Sequence, residues 1–151
     1  MPEKQTMERA RKDKRAGKAA STQAGEFVRE EIHRIRRGRH GARSPEQAIA
    51  IGLSKARRAG VALSPPKKGK TSERTRKSAA YAYAAGQHKR KPRRRHRVAR
   101  AVSQALKREP RNTVSRKALS RQAKQAASRR TASERSATAR TPGLKADEKT
   151  S

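Results

Sequence analysis

"HGARSPEQAIAIGLSKARRAGV", residues 40–61, carries a complete set of helix signals. Ser44 is a good N-cap and Pro45 suits the first helical position. Gln47, three residues after Ser44, completes an S-x-x-Q capping box. Ala48, Ile49, Gly52, Leu53, Ala56 and Ala59 then recur at helical spacing, and Gly60 supplies the stop. The spacing predicts a helix over 45–59. Gly52 sits in the middle of the stripe, where it costs about 1 kcal/mol of propensity relative to Ala. It is either tolerated drift or the close approach of a second helix, and the sequence leaves both open.

The second helix is expected over 21–38, "STQAGEFVREEIHRIRRG". Val28, Ile32 and Ile35 follow i, i+4, i+7, with Ala24 on the same line and Phe27 at its flank. Ser21 or Thr22 is the expected cap. Glu26 lies near the start and Arg34, Arg36 and Arg37 near the end, the order the helix dipole favours. Gly38 ends the helix. The connector from Gly38 to Arg43 is longer than the three or four residues of a helix-turn-helix turn, so a DNA-reading helix-turn-helix is not indicated. A hairpin of two such helices buries little. It needs a third helix, a second copy or nucleic acid to be stable, and a homodimer through the hairpin is one of these three alternatives.

Composition limits what surrounds the hairpin. The chain has 151 residues with 43 Lys+Arg against 12 Asp+Glu, a formal charge of +31. Such an excess repels itself in a compact state and attracts polyanions. Large apolar side chains number 19 against 27 Ala, too few for a single core along the whole length. Nine of them fall between 27 and 63, whereas residues 64–140 hold 25 basic and 3 acidic side chains. The organisation this suggests is a basic N-terminal arm over 1–20 and a helical hairpin over 21–63. A linker over 64–70, "SPPKKGK", a basic conditionally folded region over 71–130 and a disordered tail over 131–151 would follow.

In the basic half, "TSERTRKSAAYAYAAG", 71–86, is an expected helix with Ser72 as cap and Gly86 as stop. Tyr81 and Tyr83 point about 200° apart on it, so one is expected to pack and the other to be solvated. "KRKPRRRHR", 89–97, has seven Lys/Arg in nine residues and reads as an extended arm for phosphates. It lacks the Gly-Arg-Pro core of an AT-hook. In a nucleated cell the same block would read as an import signal. "RVARAVSQALKREP", 97–110, is amphipathic and ends at Pro110. "NTVSRKALSRQAKQAASRR", 112–130, repeats the theme with an Ala-rich stripe.

Chemistry-bearing motifs are sparse. There is no Cys, and His33, His40, His88 and His96 form no H-x-x-x-H pair, so neither a thiolate nor a zinc site is expected. No P-loop pattern occurs. Glu30 is expected to pair with Arg34 at i, i+4 rather than serve as a base. No cofactor is expected, and the chain reads as a non-enzyme. No apolar run reaches the roughly 18 residues of a membrane span, and no membrane partner is expected. The N-terminus has acids and no apolar stretch, so the expected compartment is the cytosol, at the nucleoid in a bacterium.

Residues 1–70, through "TQAGEFVREEIH" and "QAIAIGLSKARRAGV" with "MPEKQTMERARKDKRAGK" and "PPKKGK", resemble a family of small basic bacterial proteins carrying a domain of unknown function. Its members are loosely labelled DNA-binding or plasmid stabilisation proteins. The resemblance implies a class and a compartment and brings no catalytic or base-reading residues.

The expectation is an all-α, partly disordered protein: a small N-terminal helical hairpin followed by Arg/Lys/Ala-rich helices. Its expected partner is DNA, bound without sequence preference, as by a nucleoid-associated or histone-like protein. An RNA- or ribosome-associated binder and a plasmid-maintenance module that binds protein are the alternatives. The expected contacts are Lys89, Arg90, Lys91, Arg93, Arg94, Arg95 and Arg97 in the basic block. Arg36, Arg37, Arg39, Arg43, Arg57 and Arg58 are expected to contribute from the hairpin.

Overall fold

Pro45 and Ser44 set the start of the central helix as expected. In the computed structural model the Gln47 amide donates to Ser44 Oγ at 3.2 Å. The Gln47 side chain accepts from the Arg43 amide at 2.6 Å, so the reciprocal half of the box is displaced by one residue. The structure describes residues 2–88 and 96–136. They form α1 (Lys4–Arg15), α2 (Ala20–Arg36), α3 (Pro45–Arg58), α4 (Glu73–Gly86), α5 (His96–Arg108), a 3₁₀ turn (Asn112–Val114) and α6 (Arg116–Ser128). No β-strand occurs among the described residues.

Helices α2 and α3 pack as the expected hairpin. Gly38 follows α2 with φ +81, and the Arg39 amide reaches back to the Arg34 carbonyl at 3.0 Å. Gly60 follows α3 with φ +103, and the Val61 amide reaches the Ala56 carbonyl at 3.1 Å. Both are the left-handed stop that satisfies orphan carbonyls. Gly52 is a close approach rather than drift: a methyl there would stand 2.6 Å from Val28 Cα.

The start of α2 differs from expectation. Ala19 is its N-cap and no side chain caps it, because Ser21 and Thr22 already lie inside the helix. Gln23 anchors the preceding turn instead, donating Nε2 to the Lys18 carbonyl at 3.0 Å.

Residues 1–20 are not an arm. Helix α1 packs on α2, and the first core joins Ala10 to Ala24, Phe27, Ala56 and Val61, with Met7, Leu53 and Leu63 at its margin. Phe27, placed at the flank of the stripe by sequence, is fully buried at its centre. Residues 64–70 are not a domain boundary either, since α4 returns to pack on α3. Ala79 and Ala82 are buried there, and Gly86 lies so close to the Arg57 carbonyl that a methyl would stand 1.7 Å from it. Ser72 caps α4 as expected, accepting from the Thr75 amide at 3.3 Å. Tyr81 and Tyr83 are both half-buried, not one packed and one solvated.

The second core joins Ile35, Ala42 and Ala48 to Val114, with Ile32 at its edge. The third element the hairpin needed therefore comes in part from the basic half. The 112–130 segment is a 3₁₀ turn followed by α6, whose cap Ser115 accepts from the Ala118 amide at 3.1 Å. The expected tail begins with order: Thr131 and Glu134 cap one another reciprocally ahead of a helical turn. The rest of the expected tail, 137–151, lies outside the described residues.

Candidate nucleic-acid interface

Acidic side chains are scarce, and the fold turns several of them inward. Asp13, Glu30 and Glu31 are buried. Glu31 is fully enclosed between Lys55, which contacts Oε1, and His40, whose Nε2 lies 3.0 Å from Oε2. Arg34 Nη1 stands 3.9 Å from the same carboxylate. Glu30 takes the expected bond from Arg34 Nη2 at 2.9 Å and also accepts the Glu3 amide at 2.7 Å. Asp13 pairs with Lys18 at 3.3 Å. A buried carboxylate needs such partners to remain charged.

Only Glu8, Glu46, Glu73 and Glu134 are exposed among the described acids. Two of these also face cations. Arg76 grips Glu73 through two bonds of 3.0 and 2.7 Å, and this hydrogen bonding holds the Glu73 carboxyl below its ordinary range. Glu134 stands 3.9 Å from Lys70. The outer surface is therefore left mostly to unopposed Lys and Arg.

The loops between helices position part of this surface. The Gly41 amide donates to the Leu106 carbonyl and the Ala42 amide to the Pro110 carbonyl, each at 2.8 Å. Thr113 Oγ1 donates to the Ala42 carbonyl at 2.8 Å. A methyl at Gly41 would stand 1.8 Å from the Glu109 carbonyl oxygen, so only glycine permits this approach. The interlock sets α6 beside the start of α3. The cleft between them, about 280 Å³, is lined by Arg43, Arg121, Gln122 and Gln125, with Glu46 also in its wall. A groove of about 120 Å³ between α1 and α2 gathers Arg9, Arg29, His33 and Arg37 above Glu3 and Glu30. Guanidinium and amide donors in open grooves suit phosphodiester oxygens.

The hairpin arginines separate by role. Arg37 lines the α1–α2 groove and Arg43 the α3–α6 cleft. Arg39 and Arg58 are exposed. Arg36 instead donates Nε and Nη2 to the Val114 carbonyl at 3.2 and 3.0 Å, holding the second core closed. Arg57 is only 8% exposed. It donates to the Leu63 and Ser64 carbonyls at 3.1 and 3.2 Å, and burial pushes its guanidinium below the ordinary arginine range. Its donors tie the chain end of α3 to the turn that follows. Arg97 is exposed on α5. Lys89, Arg90, Lys91, Arg93, Arg94 and Arg95 lie outside the described residues.

Arg9, Arg29 and Arg121 were not among the residues expected from sequence. Arg29, His33 and Arg37 share one face at i, i+4, i+8, a legible signal. Nothing local points to Arg121, which shares the α3–α6 cleft with Arg43. Among the described residues no group of three or more potential metal ligands comes together, and no helix is long and apolar enough to cross a membrane. No protein-family model, curated protein or solved structure matches the chain.

Proposed function

We propose that this is a non-enzymatic DNA-binding protein that grips the duplex backbone without reading sequence, acting at the nucleoid in a bacterial cell. The observation that carries the proposal is the sorting of charge: Asp13, Glu30 and Glu31 are folded inward, while Arg9, Arg29, Arg37, Arg43 and Arg121 line open grooves. A net charge of +31 then acts on a polyanion, with Glu3, Glu30 and Glu46 the acids that share these grooves. The basic block at 89–97 adds seven cations in nine positions.

Salt dependence tests the proposal. If about 8 phosphates are neutralised, log affinity falls against log salt with a slope of about −7 on duplexes of unrelated sequence. A slope near zero, or strong preference for one short sequence, overturns it. Structured RNA competing better than duplex DNA at matched salt makes the partner RNA.

A further inference from the structure

Glu30 is a buried carboxylate with one oxygen satisfied and one not. It lines the groove between α1 and α2 and is only 6% exposed. Its Oε1 accepts the Glu3 amide at 2.7 Å and Arg34 Nη2 at 2.9 Å. Its Oε2 is buried and has no hydrogen-bond partner. A carboxylate oxygen in that position calls for a donor, since a buried acceptor left unmet is costly. The walls around it are cationic: Arg9, Arg29, Arg34 and Arg37 outnumber Glu3 and Glu30. Arg9, Arg29 and Arg37 are exposed and enter no ion pair among the described residues. The groove also opens at the first turn of α1, which no side chain caps, so its amides and dipole add to the pull on an anion.

We infer that the α1–α2 groove is a binding site for a phosphate monoester, with Glu30 Oε2 accepting the proton that the phosphate group carries. The ligand must offer two things at once, negative charge for the arginines and a donor for the carboxylate. A phosphodiester offers only the first. Its oxygens carry no proton near neutral pH, and Oε2 repels them. Sulfate fails for the same reason. A phosphate monoester has a second pKa of about 6, so part of the population carries a P–OH donor at pH near 7, and the bond it makes favours that form. A water molecule would also satisfy Oε2, but it gives the arginines no counter-charge.

The bond from P–OH to Oε2 is charge-assisted and of the short, strong kind. Arg29 and Arg37, two turns apart on one face of α2, take the remaining phosphate oxygens. Their long exposed side chains, with that of Arg9 across the groove, reorient around the anion. The arginines keep their attraction for a duplex backbone, and Oε2 is what sets a monoester above it. The terminal phosphate of a nucleic-acid strand and free phosphate share this chemistry, and the internal backbone does not. The inference therefore goes beyond the DNA-binding reading and does not rest on it.

The test follows the Glu3 amide of the full chain by NMR, because that amide bonds Glu30 directly. Inorganic phosphate, sulfate and dimethyl phosphate are titrated at constant ionic strength and about pH 6.5, near the second pKa of phosphate. Phosphate should move the signal saturably and bind roughly tenfold more tightly than either comparator, the effect of one charge-assisted bond. Glu30→Gln keeps the shape of the side chain and puts an amide donor in place of Oε2, so the preference for phosphate over sulfate should vanish. Arg29→Ala/Arg37→Ala, at exposed positions, should weaken phosphate binding roughly fivefold or more with unchanged circular dichroism. If Glu30→Gln fails to fold, the three anions on the unmodified chain and the arginine variant decide. Equal response to all three anions, or to none, overturns the inference, and so does phosphate binding that ignores the arginine variant. Short duplexes with phosphorylated and unphosphorylated strand ends separate the two sources. A shift with phosphorylated ends assigns the site to strand termini, a shift with inorganic phosphate alone assigns it to free phosphate, and both uphold the monoester. Absence of binding by either duplex overturns the DNA reading and leaves the phosphate site standing.

Discussion

Thr113 donates its hydroxyl to the Ala42 carbonyl at 2.8 Å, bridging two loops 71 positions apart in the chain. The residue after Thr113 is Val114, which is fully buried against Ile35, Ala42 and Ala48. One loop thereby supplies the core residue that the other loop's hairpin lacks.

Val114→Ala should lower stability by about 2 kcal/mol, the cost of lost burial and an incompletely filled site. Amide exchange at Gly41 and Ala42, whose hydrogens are held by Leu106 and Pro110, should accelerate with it. Retained protection at these two amides would mean that the loops hold together without the valine.

Gly52→Ala sets propensity against packing. In an isolated helix the change is favourable by about 1 kcal/mol. Here the new methyl would meet Val28 Cα at 2.6 Å, and separating α2 from α3 costs about 1–3 kcal/mol. Net destabilisation in urea unfolding is the expected result. A stabilised variant would show that the helices do not approach this closely.

Glu31→Gln keeps the shape of the buried side chain and removes the charge that faces Lys55, His40 and Arg34. Stripping one partner from a buried ionic cluster costs about 3 kcal/mol. Glu46→Gln, at an exposed position, should change stability by less than about 0.5 kcal/mol. Equal unfolding midpoints for the two variants would remove Glu31 from its structural role.

Arg57→Ala and Arg58→Ala should affect different properties. The first strands the Leu63 and Ser64 carbonyls and should reduce thermal stability. The second removes an exposed cation, leaving stability within about 0.5 kcal/mol and flattening the salt slope of DNA binding by at most about 1. Titration of both variants across salt, beside their melting curves, separates the roles.

Replacing Arg93, Arg94, Arg95 and Arg97 together with Ala should weaken binding alike on all duplex sequences. The salt slope should flatten by up to about 4. Affinity lost on one sequence only would mean that the block reads bases.

The all-helical class and the capped helices at Ser44 and Ser72 were legible because each depends on residues three or four apart, whereas the Ser115 cap inside the expected 112–130 segment was not read. The Gly38 and Gly60 stops were legible for the same reason. Helix α1 was not, since its buried side is made of Thr6, Ala10 and Asp13 rather than large aliphatic residues. Arg57 and Arg58 look alike in "KARRAG", and only their 100° separation about the helix sends one inward. Arg36 and Arg37 are both exposed, and only Arg36 is turned to bond the Val114 carbonyl. Arg43 and Arg121 line one cleft although they lie far apart in the chain, and no local pattern encodes that.

The loop interlock also sets an order of events during synthesis. Helices α1 to α4 are complete once residue 86 has been made, and every residue of the first core precedes that point. The second core must wait for Val114, a further 28 residues along the chain. Until that residue has been made, Ile35, Ala42 and Ala48 lack the side chain that completes their cluster.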